Sequence, residues 1–141
     1  MMNHSHSILL SNLTEEDRNA LLRCGSYQWI PQEEMVVHEG QHSDMLRLVL
    51  SGVLEISSFA RRSTLYAGQM IGVSNALNPG RARLTVMARE ETALWVIGHD
   101  SLHSYLSAHS HAFDTFLECL KIERDLNLRG RHATVAQMLV A

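Results

Sequence analysis

The chain has few cysteine residues and no long run of apolar residues. Its 141 residues include only two cysteines, Cys24 and Cys119. Two isolated cysteines form neither a CxxC motif nor a disulfide framework, which indicates a reduced, cytosolic protein. No apolar run approaches the roughly 18 residues of a membrane-spanning helix, and the start MMNHSHSILL lacks the pattern of a signal peptide. We therefore expect a cytoplasmic protein without a membrane partner.

The charge balance and the motif content narrow the function further. The formal net charge is −3, which does not indicate a general nucleic-acid surface. The sequence contains no G-x-S-x-G, no HExxH and no P-loop, so we do not expect an enzyme. Hydrophobic residues make up 45% of the chain and charged residues 19%, which predicts one folded domain with a sizeable core.

The middle of the chain predicts short β-strands. Apolar runs rich in Val, Leu and Ile are bounded there by Gly, Pro, Asn and Asp. The predicted strands are residues 27–30, 35–38, 46–50, 53–58, 63–66, 84–89 and 92–98. Short strands at this close spacing favour a sandwich or a jelly roll. Arg61 and Arg62 are expected to lie in a hairpin turn.

Helical patterns flank the strands on both sides. Thr14 is the expected cap of a helix over LTEEDRNALLRCG, and Gly25 is its expected end. Asp100 is the expected cap of a second helix, SLHSYLSAH, and a longer helix follows from about residue 112. Apolar residues recur in that longer helix at three- and four-residue spacing, which predicts one apolar face formed by Phe113, Phe116, Leu117 and Leu120.

The chain contains nine histidines, and imidazole is the commonest metal ligand. His99 and His103 are four residues apart, which places them on one helix face only if the helix already includes His99. With Asp100 as the cap, His99 lies outside the helix. We therefore interpret these histidines as solvated surface residues and predict no metal site. A cupin metalloenzyme is the alternative, although His38 is the only histidine within the predicted strands.

The glycine-punctuated segments of the sequence carry a resemblance to a known family. VVHEGQHSDMLRLVLSG (36–52), AGQMIG (67–72) and TVMAREETALWVI (85–97) follow one another in the order and spacing of the cyclic-nucleotide-binding domain. Over residues 9–141 the chain resembles the sensory half of Crp/Fnr-type bacterial transcription regulators. The resemblance implies a mainly β fold, a double-stranded β-helix or jelly roll with flanking α-helices and a long C-terminal helix.

The resemblance also implies a domain organisation. We predict a flexible tail at residues 1–8, a β-roll with its flanking helices at 9–111, a dimerisation helix at 112–129 and the start of a further helix at 130–141. The winged helix-turn-helix that follows in the family is not in this sequence, so we expect DNA contact only through a domain that the chain does not contain.

The family binds its ligand with a loop called the phosphate-binding cassette, which here would open at Gly72. In the family, backbone N–H groups of a short helix bind the cyclic phosphate, an arginine neutralises it, and a glutamate after the glycine holds the ribose. Val73 stands at the glutamate position and Ala82 at the arginine position. The candidate ligand-binding residues are Gly72, Val73, Ser74, Arg81, Arg83, Leu84 and Thr85.

The long helix suggests a partner as well as a ligand. In the family the corresponding helix pairs with its twin, so we expect a homodimer with the candidate interface Phe113, Phe116, Leu117, Leu120 and Arg124. Packing of the same apolar face on the β-roll is the alternative.

Three functions stay open at this point. The first is an effector-sensing domain that does not bind cyclic nucleotide in the usual way, because a valine cannot replace a carboxylate acceptor. The second is a conventional cyclic AMP or cyclic GMP receptor that uses Arg81 or Arg83 for the phosphate. The third is a dimeric interaction module without a ligand. We predict no certain cofactor: an iron–sulfur cluster would need more cysteines, whereas the histidines leave a haem open.

Overall fold

The computed structural model of this chain describes residues 8–58 and 61–129. Residues 1–7 of the predicted tail and the predicted segment 130–141 lie outside this part. Within that part, only the backbone is described for Ile8, Arg61, Leu120 and residues 122–129, which include Arg124.

In the described residues, ten strands form two four-stranded antiparallel sheets and one two-stranded ribbon. In chain order the strands are β1 (Ser26–Ile30), β2 (Met35–Val37), β3 (His42–Ser43), β4 (Met45–Ser51), β5 (Leu54–Ser58), β6 (Arg61–Leu65), β7 (Met70–Ile71), β8 (Gly80–Arg81), β9 (Thr85–Ala88) and β10 (Thr92–Gly98). The first sheet has the order β1-β10-β4-β7, the second has the order β2-β9-β5-β6, and β3 pairs with β8. The predicted jelly roll is confirmed.

Between residues 8 and 129, the described part of the chain also forms five helices: α1 (Ile8–Ser11), α2 (Glu15–Cys24), α3 (Val73–Leu77), α4 (His99–Ala108) and α5 (Ala112–Arg129). The predicted cap of α2 is confirmed, because Thr14 Oγ1 accepts a hydrogen bond from the N–H of Asp17 at 3.1 Å. The predicted cap of α4 is wrong: the helix begins at His99 after Gly98, and Asp100 lies in its first turn. An acid there still suits the positive end of the helix dipole. His99 and His103 therefore do share a helix face, with ring centroids 6.1 Å apart.

The two faces of the first sheet have different neighbours. The indole of Trp95 on β10 faces α2 and donates a hydrogen bond to the carbonyl of Leu22 at 3.1 Å. Leu48 on β4 is the cross-strand neighbour of Trp95 and shares its face. Residues one step along each strand, such as Val96 and Val49, point to the opposite face. These residues are buried in one cluster with the inner residues of the second sheet, so this face is the interior of the roll.

The turn predicted at Arg61 and Arg62 is also corrected. Both residues belong to β6, where they pair with Ser58 and Ser57 of β5. The strand begins two residues earlier than predicted because two basic residues on an exposed edge strand carry no apolar signal.

Candidate functional site

The cassette opens with a turn that only glycine fits well. Gly72 follows β7 and takes a left-handed φ of 90° directly before α3. A Cβ at this position would collide with the carbonyl oxygen of Met45 on β4. The left-handed φ and the lack of space both exclude a larger residue, which fixes α3 against the middle of the first sheet.

The residue after this glycine belongs to the hydrophobic core. Val73 begins α3 and is 0% exposed, within the same apolar cluster as the inner residues of both sheets. Its isopropyl group offers neither a donor nor an acceptor. The position that holds the ribose in the resembling family is therefore filled here by core packing.

The other end of the cassette keeps its two arginines at the surface. Ala82 is 6% exposed; its N–H donates to the carbonyl of Gln41 and its carbonyl accepts the N–H of Gly40, both at 2.8 Å. Arg81 is exposed and donates to the carbonyl of Gly40 at 3.1 Å. Arg83 is exposed as well, and it makes no hydrogen bond or ion pair with any residue in the part of the chain that the structure describes.

The remaining predicted ligand residues lie in three different settings. Ser74 is exposed on α3, and Leu84 packs against the hydrophobic cluster. Thr85 Oγ1 accepts the N–H of Glu39 at 3.0 Å, on the face of β9 opposite to that of the buried Val86. The predicted residues thus divide among the core, the exposed edge and the outer face of the second sheet.

This combination of a β-roll, a glycine turn and a short helix is matched by a family. Residues 27–109 match the sequence profile described as the Cyclic nucleotide-binding domain. The chain belongs to the cyclic nucleotide-binding domain family. The predicted family resemblance is therefore confirmed. No curated protein matches the sequence significantly.

Solved structures place the same fold in several bacterial proteins. The N-terminal domain of a transcriptional regulator from Streptomyces coelicolor A3(2) superimposes with a TM-score of 0.76 at 20% identity, covering 93% of this chain and 96% of that one. The catabolite activator protein of Thermus thermophilus gives 0.72 at 21% identity, over 87% and 62% of the two chains. A cyclic nucleotide-binding domain from Methylobacillus flagellatus KT gives 0.69 at 19% identity, over 78% and 68%. At these identities the likeness establishes the fold.

The candidate dimer interface of this cyclic nucleotide-binding domain lies on α5, and its residues have two different environments. Phe116 is 0% exposed and packs in the core of its own chain, whereas Phe113 and Leu117 are 43% and 38% exposed. The two exposed residues line a groove of about 430 Å³ between α3, α4 and α5. The side chains of Leu120 and Arg124 lie outside the described part. One side of α5 thus packs against α1 and α3, and the interface stays a prediction.

One charged residue beside the cassette was not predicted from the sequence. Arg47 lies on β4; its Nε is buried and has no hydrogen-bond partner among the described residues, and its Nη2 makes a long contact of 3.9 Å with the sulfur of Met45. Burial lowers the pKa of Arg47, and the nearby charge of Asp44 opposes that shift. The signal was present in the sequence as one arginine within the apolar strand MLRLVLS, but the sequence did not show which face it occupies.

A second cluster of polar groups joins three helices away from the cassette. The hydroxyl of Tyr105 on α4 donates to the backbone carbonyl of Asp17 on α2 at 2.8 Å. The carboxylate of Asp17 lies against Nε2 of His111, which immediately precedes α5. Their geometry does not meet that of a hydrogen bond, so the contact is an ion pair when the imidazole is protonated. Burial foremost, then the charges of Asp17 and Cys24, raise the pKa of Tyr105 to about 12.

Two further observations bear on cofactors and membranes. Within residues 8–58 and 61–129, no group of three or more His, Cys, Asp or Glu residues is placed to hold a metal ion. None of the helices described in that part is long and apolar enough to cross a membrane. Of the two cysteines, Cys119 is buried and Cys24 is exposed.

Proposed function

We propose that this chain is the effector-sensing domain of a Crp/Fnr-like bacterial transcription regulator, with a cassette that does not hold cyclic nucleotide in the usual way. The observation that carries the second half of the proposal is Val73. A side chain that is 0% exposed in an apolar cluster cannot accept hydrogen bonds from a ribose, and a ribose placed there would lose those of its own with water. The role is binding rather than catalysis, in the cytoplasm.

The path from the cassette to the long helix supports a sensing role. α3 packs on both α4 and α5. Nδ1 of His99 on α4 lies 2.7 Å from the carbonyl of Ala76 on α3, so the imidazole donates to the cassette helix. A ligand that repositions α3 would therefore act on α4 and α5 directly. We propose that this shift changes the packing of a homodimer formed through α5, a two-state element that both subunits share.

Calorimetry with cyclic AMP and cyclic GMP tests the cassette. We expect no heat of binding at ligand concentrations that saturate a conventional receptor. Micromolar affinity would contradict the proposal. If Arg83→Ala then abolished that affinity, the conventional receptor with Arg83 on the phosphate would be favoured. The observation that keeps this alternative open is the exposed, unpartnered guanidinium of Arg83 beside the cassette, within the described residues.

An electrophoretic shift assay tests the regulator half of the proposal. We expect this chain alone to bind no DNA sequence specifically, whereas a chain with a helix-turn-helix placed after α5 would. Sequence-specific binding by the 141 residues would contradict the proposal.

An interaction module without a ligand is the second alternative. The observation that favours it is again Val73, because core packing at the cassette leaves the β-roll intact without any bound molecule. Sedimentation of the chain with and without small molecules from the cell distinguishes this module from a sensing domain. The dimer affinity of a ligand-free module should be the same in both samples.

A further inference from the structure

The side chain of Arg47 points into the β-roll. Its cross-strand neighbours are Val96 on β10 and Ile71 on β7, so the three side chains share one face of the first sheet. Leu48, the next residue on β4, is paired with Trp95 on the face that packs against α2. Since successive residues of a strand alternate, Arg47 faces the interior of the roll, between two apolar neighbours.

No acidic residue in the described part of the chain forms an ion pair with this arginine. Asp44 is close enough to raise the pKa of Arg47, yet its ion-pair contact is with His42, at 3.9 Å. The buried Nε has no acceptor within the described part of the chain. A guanidinium that is partly withdrawn from water in this way loses hydration that no hydrogen bond at Nε replaces, so an anion that enters the roll gains a strong interaction there.

Arg47 also lies beside the cassette. Its neighbour Ile71 is followed directly by Gly72, and the backbone of Gly72 crosses β4 at Met45 and Leu46. At the other end of the cassette, Ala82 is buried and uncharged, and its neighbours Arg81 and Arg83 are exposed at the surface. An anion held by Arg47 would touch the turn before α3, and through α3 it would reach α4 and α5.

We propose that Arg47 is the anion-binding residue of this β-roll and that the effector is a small molecule with a phosphate or carboxylate group. The inference rests on the proposed sensing function and names its ligand class. The planar fork of a guanidinium donates two parallel hydrogen bonds to two oxygens of such a group. The long aliphatic part of Arg47 remains packed on its strand neighbours, while the buried Nε–H gains the acceptor that it lacks.

Thermal unfolding in matched salts tests this inference. Wild type, Arg47→Met and Arg83→Met are compared in chloride, in inorganic phosphate and in acetate at equal ionic strength, with each anion in the tens of millimolar so that weak binding still shifts the melting temperature. We expect one of the two oxyanions to raise the melting temperature of wild type and of Arg83→Met, and to leave that of Arg47→Met unchanged. Whether phosphate or acetate produces the shift identifies the group that the site recognises.

A titration followed by the arginine Nε–H resonances gives a second readout that needs no change in stability. The Arg47 signal, assigned by its loss in Arg47→Met, should move on addition of the same anion in wild type and in Arg83→Met, and the same addition should leave the remaining arginine signals of Arg47→Met in place. A shift that requires Arg83 and not Arg47, an equal shift in all three proteins, or no response in either experiment overturns the inference. None of these outcomes decides the sensing function, which the cyclic nucleotide and DNA experiments judge separately.

Discussion

Two regions of this molecule hold a partly or fully buried charge, and the surroundings of the charge differ between them. At the junction of α2 and α5, the carboxylate of Asp17 is buried and faces His111. In the roll, the guanidinium of Arg47 lies between apolar neighbours, and its Nε has no acceptor in residues 8–58 and 61–129. A paired charge at a helix junction supports the fold, whereas an unpaired one costs stability and is retained only where it serves something else.

The largest effect should come from adding another charge to the roll. Val73→Glu places a carboxylate in the apolar cluster at the start of α3. We expect a loss on the order of 3–5 kcal/mol in the free energy of unfolding, because an uncompensated charge is then buried. Denaturant titration measures this loss. Ser74→Glu is the matched control: it is exposed on the same helix and should change the free energy by less than about 0.5 kcal/mol.

A stable Val73→Glu protein would contradict the view that core packing has replaced the ribose site. In that event the glutamate has found room and polar partners, and the variant should be tested for cyclic AMP binding. The same experiment therefore measures how far the cassette is from that of a conventional receptor.

The next effect should come from removing the partner of Asp17. His111→Ala leaves the buried carboxylate without its neighbouring imidazole, and we expect a loss of about 1–3 kcal/mol in the free energy of unfolding. His103→Ala is the control, because His103 is exposed on α4 and lies outside this junction.

A double-mutant cycle with Asp17→Asn separates the pair from its surroundings. If the loss in His111→Ala is the same when residue 17 is asparagine, the two side chains do not support each other. The junction would then differ less from the roll than the structure indicates.

For a substitution of Arg47 we expect no loss, and even a gain, in the free energy of unfolding. Arg47→Met keeps the aliphatic length and removes a partly buried charge without a carboxylate partner, so the free energy of unfolding should stay constant or rise by up to about 1 kcal/mol. Arg89→Met is the control for loss of a paired arginine, since Arg89 contacts Glu55 at 3.7 Å; it should lose less than about 1 kcal/mol because the Arg89 side chain is exposed. A clear loss in Arg47→Met would make Arg47 a structural residue.

The sequence predicted the parts of the architecture that local patterns determine, and it did not predict the features that have no local pattern. The long strands and the turns at glycine follow from apolar runs and chain breakers, which are local. The two-residue strands β3, β7 and β8 were missed because two residues carry no periodicity. The sequence pattern predicts Asp100 as a cap because an acid in the first turn of a helix resembles a capping acid, whereas the cap is Gly98. The environment of Arg47 depends on three strands that are distant along the chain, so no local pattern could reveal it.

The smallest effect concerns Tyr105, which donates to the same Asp17 through the backbone. The pKa of its hydroxyl is raised from 10.0 to about 12, so the folded protein favours the neutral form. The associated stability is fully present below pH 10.0 and is lost as the pH rises through about 12, because the unfolded tyrosine ionises first. Tyr105→Phe should therefore lose about 1 kcal/mol at neutral pH, for the missing hydrogen bond, and show a shallower loss of stability at alkaline pH.

Denaturant titrations from neutral pH to about pH 11 measure this difference in slope, with Tyr27→Phe on the exposed strand β1 as the control for loss of a tyrosine. Parallel curves for wild type and Tyr105→Phe would mean that the hydroxyl is not held in its neutral form by the junction. The polar contacts among α2, α4 and α5 would then contribute through packing alone, and the contrast with Arg47 would rest on Asp17 and His111.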